Sequence, residues 1–142
     1  FIFTKGMLQG NAIDVFNNGE MVRDFTYVDD IVEGVIRVLD KPAKPESQCG
    51  GTAPNPNSVD APYRIFNIGN GQPTPLLDYI SAIEKALGVE AVKNFLPMQP
   101  GDVPSTAADT RELAAWIGFQ PDTRVGDGVA NFVRWYRSYY NV

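Results

Sequence analysis

The sequence predicts an α/β domain in which several helices surround a few short strands that form an incomplete sheet. Segments of period two alternate along the chain with segments of helical period, so strands and helices are interleaved. The extended segments are too few and too short for a doubly wound sheet covered on both faces. At 142 residues with 44% apolar content, the chain has the size and composition of one globular domain with a sizeable core.

The elements follow in order. Residues 1–9 read as the end of a helix closed by Gly10. Residues 12–16 alternate apolar and polar, and Asn17-Asn18-Gly19 is a turn signal. Residues 22–28 alternate again, which places Arg23, Phe25 and Tyr27 on one face and Asp24, Thr26 and Val28 on the other. Asp30-Ile31-Val32-Glu33 fits a capping box that opens a helix to Leu39, with Ile31, Val32, Val35, Ile36 and Leu39 on one stripe. Residues 41–62, rich in Pro, Gly, Ser and Asn, read as a long loop, a functional or mobile element at that length.

Residues 63–68 are a strand candidate, and Gly69-Asn70-Gly71 is the turn after it. Thr74 as cap and Pro75 at the first helical position open a helix carrying Leu76, Leu77, Ile80, Ile83 and Leu87, which Gly88 ends. Residues 94–98 read as a short strand leading into Gln99-Pro100-Gly101-Asp102. Asp109-Thr110-Arg111-Glu112 is a second capping box, for a short helix stopping at Gly118. The last helix spans residues 125–140, with Val129, Phe132, Val133, Tyr136 and Tyr140 as its buried stripe.

Composition excludes several classes. No apolar run approaches the roughly 18–20 residues of a membrane helix. The chain begins at Phe1 without the basic n-region of a signal peptide, and its start reads as a cut into a longer chain. With a net charge of −5, a pI near 4.6 and no Lys/Arg cluster, nucleic acid is not the expected partner. An anionic ligand would have to rely on a few well-placed arginines. Cys49 is the single cysteine, so neither a disulfide framework nor a cysteine zinc cluster can form, and it reads as an exposed loop thiol in a cytoplasmic protein. Histidine is absent, which removes Ser-His-Asp and Cys-His catalysis.

The candidate chemistry is sparse. Gly69-Asn70-Gly71 sits where a dinucleotide fingerprint would, but Thr74 stands where the third glycine is required, so the segment reads as a turn followed by a helix cap. None of the six tyrosines has a lysine four residues later, so no Tyr-x-x-x-Lys pair exists. Asp29-Asp30 reads as helix capping, since adjacent residues at a helix start do not face each other. Trp116 and Trp135 lie at helical spacings with Phe132 and Tyr136 and read as core. Arg23 admits two readings, a surface arginine paired with a neighbouring acid or a contact to an anionic ligand. Asp102 likewise is either part of an ordinary Pro-Gly-Asp turn or a carboxylate presented to sugar hydroxyls.

The stretch from Ile13 to Ile31, with Arg23-Asp24-Phe25-Thr26-Tyr27-Val28-Asp29-Asp30 at its centre, resembles the extended short-chain dehydrogenase/reductase family of nucleotide-sugar epimerases, dehydratases and decarboxylases. Ala61-Pro62-Tyr63-Arg64-Ile65-Phe66-Asn67-Ile68-Gly69-Asn70, Asn94-Phe95-Leu96-Pro97-Met98-Gln99-Pro100-Gly101-Asp102-Val103 and Phe132-Val133-Arg134-Trp135-Tyr136 resemble its UDP-glucuronate 4-epimerase branch. The resemblance covers almost the whole chain and implies the carboxyl-terminal, substrate-binding part of such an enzyme. The glycine-rich NAD loop and the Tyr-x-x-x-Lys pair would belong to an amino-terminal Rossmann domain absent here. The implied reaction is transient oxidation at C4 of a UDP-sugar by bound NAD, turnover of the keto sugar, and hydride return to its opposite face.

For this chain the resemblance implies that Arg23 contacts the diphosphate and Asp102 lies at the ribose. Gln99 stands where galactose epimerases carry a second phosphate-binding arginine, and residues 12–16, including Val15 and Phe16, line the uracil through backbone groups. It also implies no catalysis by these residues alone, a homodimer for the intact enzyme through helices that lie upstream, and apolar surface left exposed by the helix from Asp30 and the strand at Ile65. The alternatives are another UDP-sugar reaction on the same scaffold, decarboxylation or dehydration, and a non-catalytic nucleotide-sugar-binding module.

Overall fold

A computed structural model describes residues 1–44 and 62–142. The expectations for Cys49 and for most of the loop at 41–62 lie outside the described residues. The element order is α1 (Ile2–Leu8), β1 (Ile13–Val15), a 3-10 turn (Asn17–Gly19), β2 (Val22–Arg23), α2 (Val28–Asp40), β3 (Thr74–Pro75), α3 (Leu76–Leu87), β4 (Lys93–Phe95), α4 (Arg111–Ile117) and α5 (Val125–Tyr140). The α/β reading with an incomplete sheet holds: β1 pairs with β4 in parallel and β2 with β3 antiparallel, as two separate two-stranded ladders.

The core forms where α1, α3 and α5 cover β1. Strand β1 alternates with Ile13 and Val15 inward and Asp14 outward, the period the sequence predicts. Asp14 instead accepts a hydrogen bond from Asn94, its register partner on β4, at 2.8 Å. Ile80 and Ile83 of α3 are fully enclosed between Met7, Val15, Val129 and Val133. Gly88 ends α3 in the left-handed region (φ +73). The guanidinium of Arg137 on α5 donates to the carbonyl of Leu87 at 2.8 Å, and Glu84 accepts from the Ala91 N–H at 2.9 Å. These bonds fix the exit from α3 toward β4.

Five local expectations need correction. Neither proposed capping box opens its helix at the expected aspartate. Helix α2 starts at Val28, ahead of Asp30, whose carboxylate instead accepts from the Thr123 N–H (3.1 Å) and hydroxyl (2.9 Å). Helix α4 starts at Arg111, and Asp109 lies outside it, accepting from the Arg111 N–H at 3.2 Å and forming an ion pair with its guanidinium at 2.6 Å. Thr74 and Pro75 form β3 rather than opening α3: the helix starts at Leu76, whose N–H, unpaired within the helix, donates to the Met21 carbonyl just before β2 at 2.8 Å. Residues 63–68 alternate in burial, with Arg64, Phe66 and Ile68 turned inward, yet join neither sheet. Alternation sets the two faces of an extended segment, whereas a ladder also needs a neighbouring strand. The aromatic stripe of α5 is core at Tyr136 (5% exposed) but not at Trp135 (50%) or Tyr140 (44%).

Helix α2 is turned the other way from α3 and α5. Asp30, Gly34 and Arg37 face the body of the chain: Gly34 packs on Ile68, and Arg37 lies over the Phe119 ring at 4.7 Å. The stripe Val28, Val32, Val35, Ile36 and Leu39 faces solvent, with Leu39 77% exposed. Among the described residues no helix is long and apolar enough to cross a membrane.

Candidate functional site

The short strand β2 and the extended residues after it organise the site. Because successive side chains alternate, Arg23, Phe25 and Tyr27 point one way and Asp24 and Thr26 the other. Each face meets a different part of the chain.

On the first face, Arg23 is held by three oxygen acceptors. Its Nη1 donates to the carbonyls of Val22 (2.9 Å) and Pro104 (3.3 Å), and its Nη2 donates to Asp102 Oδ1 at 3.0 Å. The structure thus brings together two of the sequence-predicted site residues, and the partner of Arg23 is not its neighbour Asp24. The turn at Gln99–Asp102, closed by the Asp102 N–H donating to the Gln99 carbonyl at 3.2 Å, presents Asp102. Asp102 Oδ1 also accepts from the Val103 N–H at 2.8 Å. Both side chains of the pair are partly exposed, 25% for Arg23 and 34% for Asp102, so their mutual attraction is weak and exchangeable. An arginine whose guanidinium plane is fixed by backbone carbonyls is pre-organised for an oxyanion.

The other predicted positions are not gathered in the same way. Gln99 is exposed. The side chain of Val15 is fully buried in the core, and its carbonyl accepts from the Leu96 N–H at 3.0 Å. Phe16 is half-buried, and its carbonyl accepts from the Gly19 N–H at 3.1 Å.

Beyond Arg23, Phe25 stacks on Tyr79 of α3, with centroids 4.0 Å apart and planes at 7°. Burial holds the Tyr79 phenol above its ordinary pKa. Phe25 and Tyr79 line a cavity of about 590 Å³ together with Tyr27, Arg124, Phe132 and Trp135. Sequence reasoning assigned Trp135 and Phe132 to the core and missed this cavity. The alternation that put Arg23, Phe25 and Tyr27 on one face was the available signal.

The second face carries Asp24. Its Oδ2 accepts from the N–H groups of Gly71 and Ala108, each at 3.1 Å, while the Thr26 hydroxyl accepts from the Asn70 N–H at 3.0 Å. The Gly69–Gly71 loop therefore spends its donors inside the chain. A carboxylate already occupies the side of the loop where a pyrophosphate oxygen would sit, and it would repel one. This loop therefore does not fit the pyrophosphate of a dinucleotide. Among the described residues no group of three or more His, Cys, Asp or Glu side chains could hold a metal.

Residues 1–69 match the model of the NAD dependent epimerase/dehydratase family. Protein CapI from Staphylococcus aureus is 51% identical over 99% of this chain and 42% of its own length. The probable UDP-glucuronate 4-epimerase of Rhizobium meliloti is 43% identical over 99% of this chain and 41% of its length. The chain is therefore similar to this family in its first 69 residues and to these relatives along nearly its whole length. Among solved structures, the chain is similar to the UDP-glucuronic acid 4-epimerase of Bacillus cereus crystallised with UDP-glucuronic acid and NAD. The TM-score is 0.71 at 27% identity, over 94% of this chain and 38% of that one. The chain thus spans about two fifths of the length of the relatives it matches.

Proposed function

We propose that these 142 residues are the UDP-sugar-binding portion of a longer NAD-dependent UDP-glucuronate 4-epimerase, which interconverts UDP-glucuronate and UDP-galacturonate through a 4-keto sugar. The observation that carries this reading is the Arg23–Asp102 pair, assembled from segments 79 residues apart at an exposed turn. A diphosphate arriving at Arg23 competes with one half-exposed carboxylate, and Asp102 is then free to accept from ribose hydroxyls instead. Relatives named as UDP-glucuronate 4-epimerases at 43% and 41% identity over nearly the whole chain support this substrate class over other members of the family.

NAD supplies the reversible hydride transfer at C4 in such an enzyme. Here the Gly69–Gly71 loop is closed by Asp24 and no Tyr-x-x-x-Lys pair exists, so both cofactor and chemistry are assigned to another part of the longer protein. The solvent-facing stripe of α2 suits the surface on which that part would pack.

Two measurements test the reading. In the full-length enzyme, Arg23→Ala should weaken UDP binding by about 1.5–3 kcal/mol, the range for a hydrogen bond to a charged group. An unchanged affinity by calorimetry makes Arg23 a structural residue. The 142-residue chain alone should not epimerise UDP-glucuronate with or without NAD, and measurable turnover would overturn the division of labour.

A further inference from the structure

We infer that Asp24 is a positioning residue, which holds the 102–108 segment against Arg23 and so sets the geometry of the nucleotide site. The inference rests on the assignment of Arg23 and Asp102 to UDP-sugar binding.

The segment is fastened to β2 at two ends. At one end Arg23 bonds to Asp102 and to the Pro104 carbonyl. In the middle the Val22 N–H donates to Pro104 O at 2.9 Å, and the Thr106 N–H donates to Val22 O at 3.2 Å. At the other end Asp24 reaches across through the Ala108 N–H, and the same oxygen takes the Gly71 N–H. One carboxylate atom thus ties β2, the loop after residue 68 and the 102–108 segment together.

The neighbourhood is built around this junction. A Cβ on Gly69 would lie 2.9 Å from Asp24 Oδ2 and 2.8 Å from Ala108 Cβ, so glycine is needed for the three strands of chain to meet. The second oxygen, Oδ1, is buried without a partner among the described residues. A carboxylate buried on one side and accepting two backbone N–H groups on the other is costly to place, and its bonds are of the stronger, charge-assisted kind. Being next to Arg23 in sequence but on the opposite face, Asp24 can affect the arginine's partners without competing for its guanidinium.

The test uses the full-length enzyme with Asp24→Ala and Asp24→Asn, UDP as the probe, and backbone hydrogen exchange. Asp24→Ala should speed exchange at Thr106 and Ala108 but not at Val129 and Val133 in the core, and should raise the Kd for UDP by about tenfold. Asp24→Asn keeps an acceptor oxygen at the same place and should recover most of the affinity. In an Arg23→Ala background the Asp24→Ala effect on Kd should largely vanish, because the two act through one site.

Unaltered exchange at Thr106 and Ala108 overturns the tether itself. Faster exchange with wild-type UDP affinity, while Arg23→Ala still weakens binding, overturns the positioning role and leaves the Arg23 assignment standing. Undiminished loss in the Arg23→Ala background shows a general destabilisation and also overturns it. If Arg23→Ala leaves UDP affinity unchanged, the diphosphate assignment fails, and the exchange data decide the tether independently.

Discussion

Helices α3 and α2 carry apolar stripes that look alike in sequence, yet they are used in opposite ways. On α3, Ile80, Ile83 and Leu87 are 0%, 1% and 4% exposed and face α5 and β1. On α2, Val32, Val35, Ile36 and Leu39 are 47–77% exposed, and the helix meets the chain through Asp30, Gly34 and Arg37. Helical period identifies the apolar face of a helix but not what covers it. Docking by a glycine and two charged side chains is the pattern of a helix whose apolar side is reserved, since a contiguous exposed apolar face of this kind marks an interaction surface.

The comparison can be broken directly. Ile80→Ala should cost about 2–5 kcal/mol, the range for emptying a closed core site. Leu39→Ala should change stability by no more than about 0.5 kcal/mol in the 142-residue chain. Urea denaturation of the two variants decides it, and comparable losses would mean that the α2 stripe is buried in solution.

A smaller effect sharpens how α2 is seated. A Cβ at position 34 would fall 2.6 Å from Ile68 Cδ1, so Gly34→Ala should cost about 1–3 kcal/mol through overpacking, reduced by the roughly 1 kcal/mol gained in helix propensity. Ile68→Val removes that methyl and should restore the stability of Gly34→Ala. A Gly34→Ala variant more stable than the parent would show that the seam between α2 and Ile68 is loose.

The two regions also differ in how much the sequence revealed. Helix α5 begins and ends at the residues expected, because its stripe and its termini give the same answer. Strand β1 and the turn after it follow from alternation and from Asn17-Asn18-Gly19. Around α2 the local rules mislead. Asp30 has the spacing of a cap but is drawn to Thr123, 93 residues away, a bond that no local pattern encodes. The same holds for the site. Alternation put Arg23 and Asp24 on opposite faces, but Asp102, Gly71 and Ala108 reach them only through the fold. Residues 63–68 alternate as a strand yet join neither ladder of the described residues, so the pattern was legible and its place in the fold was not.

The seam between the two regions runs through the Phe25–Tyr79 stack, where the chain entering α2 meets α3, and it gives the smallest effect. The Tyr79 phenol is partly buried against an apolar ring, and loss of solvation disfavours the phenolate, so its pKa rises above the ordinary value near 10. A group whose folded pKa exceeds its unfolded one contributes stability that is complete below the unfolded value and is lost as pH rises through the folded value. The chain should therefore lose stability above about pH 10 as Tyr79 is forced to ionise. The measurement is the difference between parent and Tyr79→Phe in thermal midpoint from pH 8 to pH 11, which isolates this phenol from the other five tyrosines. Tyr79→Phe keeps the stacked ring and should flatten the alkaline fall without lowering stability at pH 8. An equal alkaline fall in both proteins would show that the stack opens freely, and that α2 and its approach move independently of the α3–α5 core.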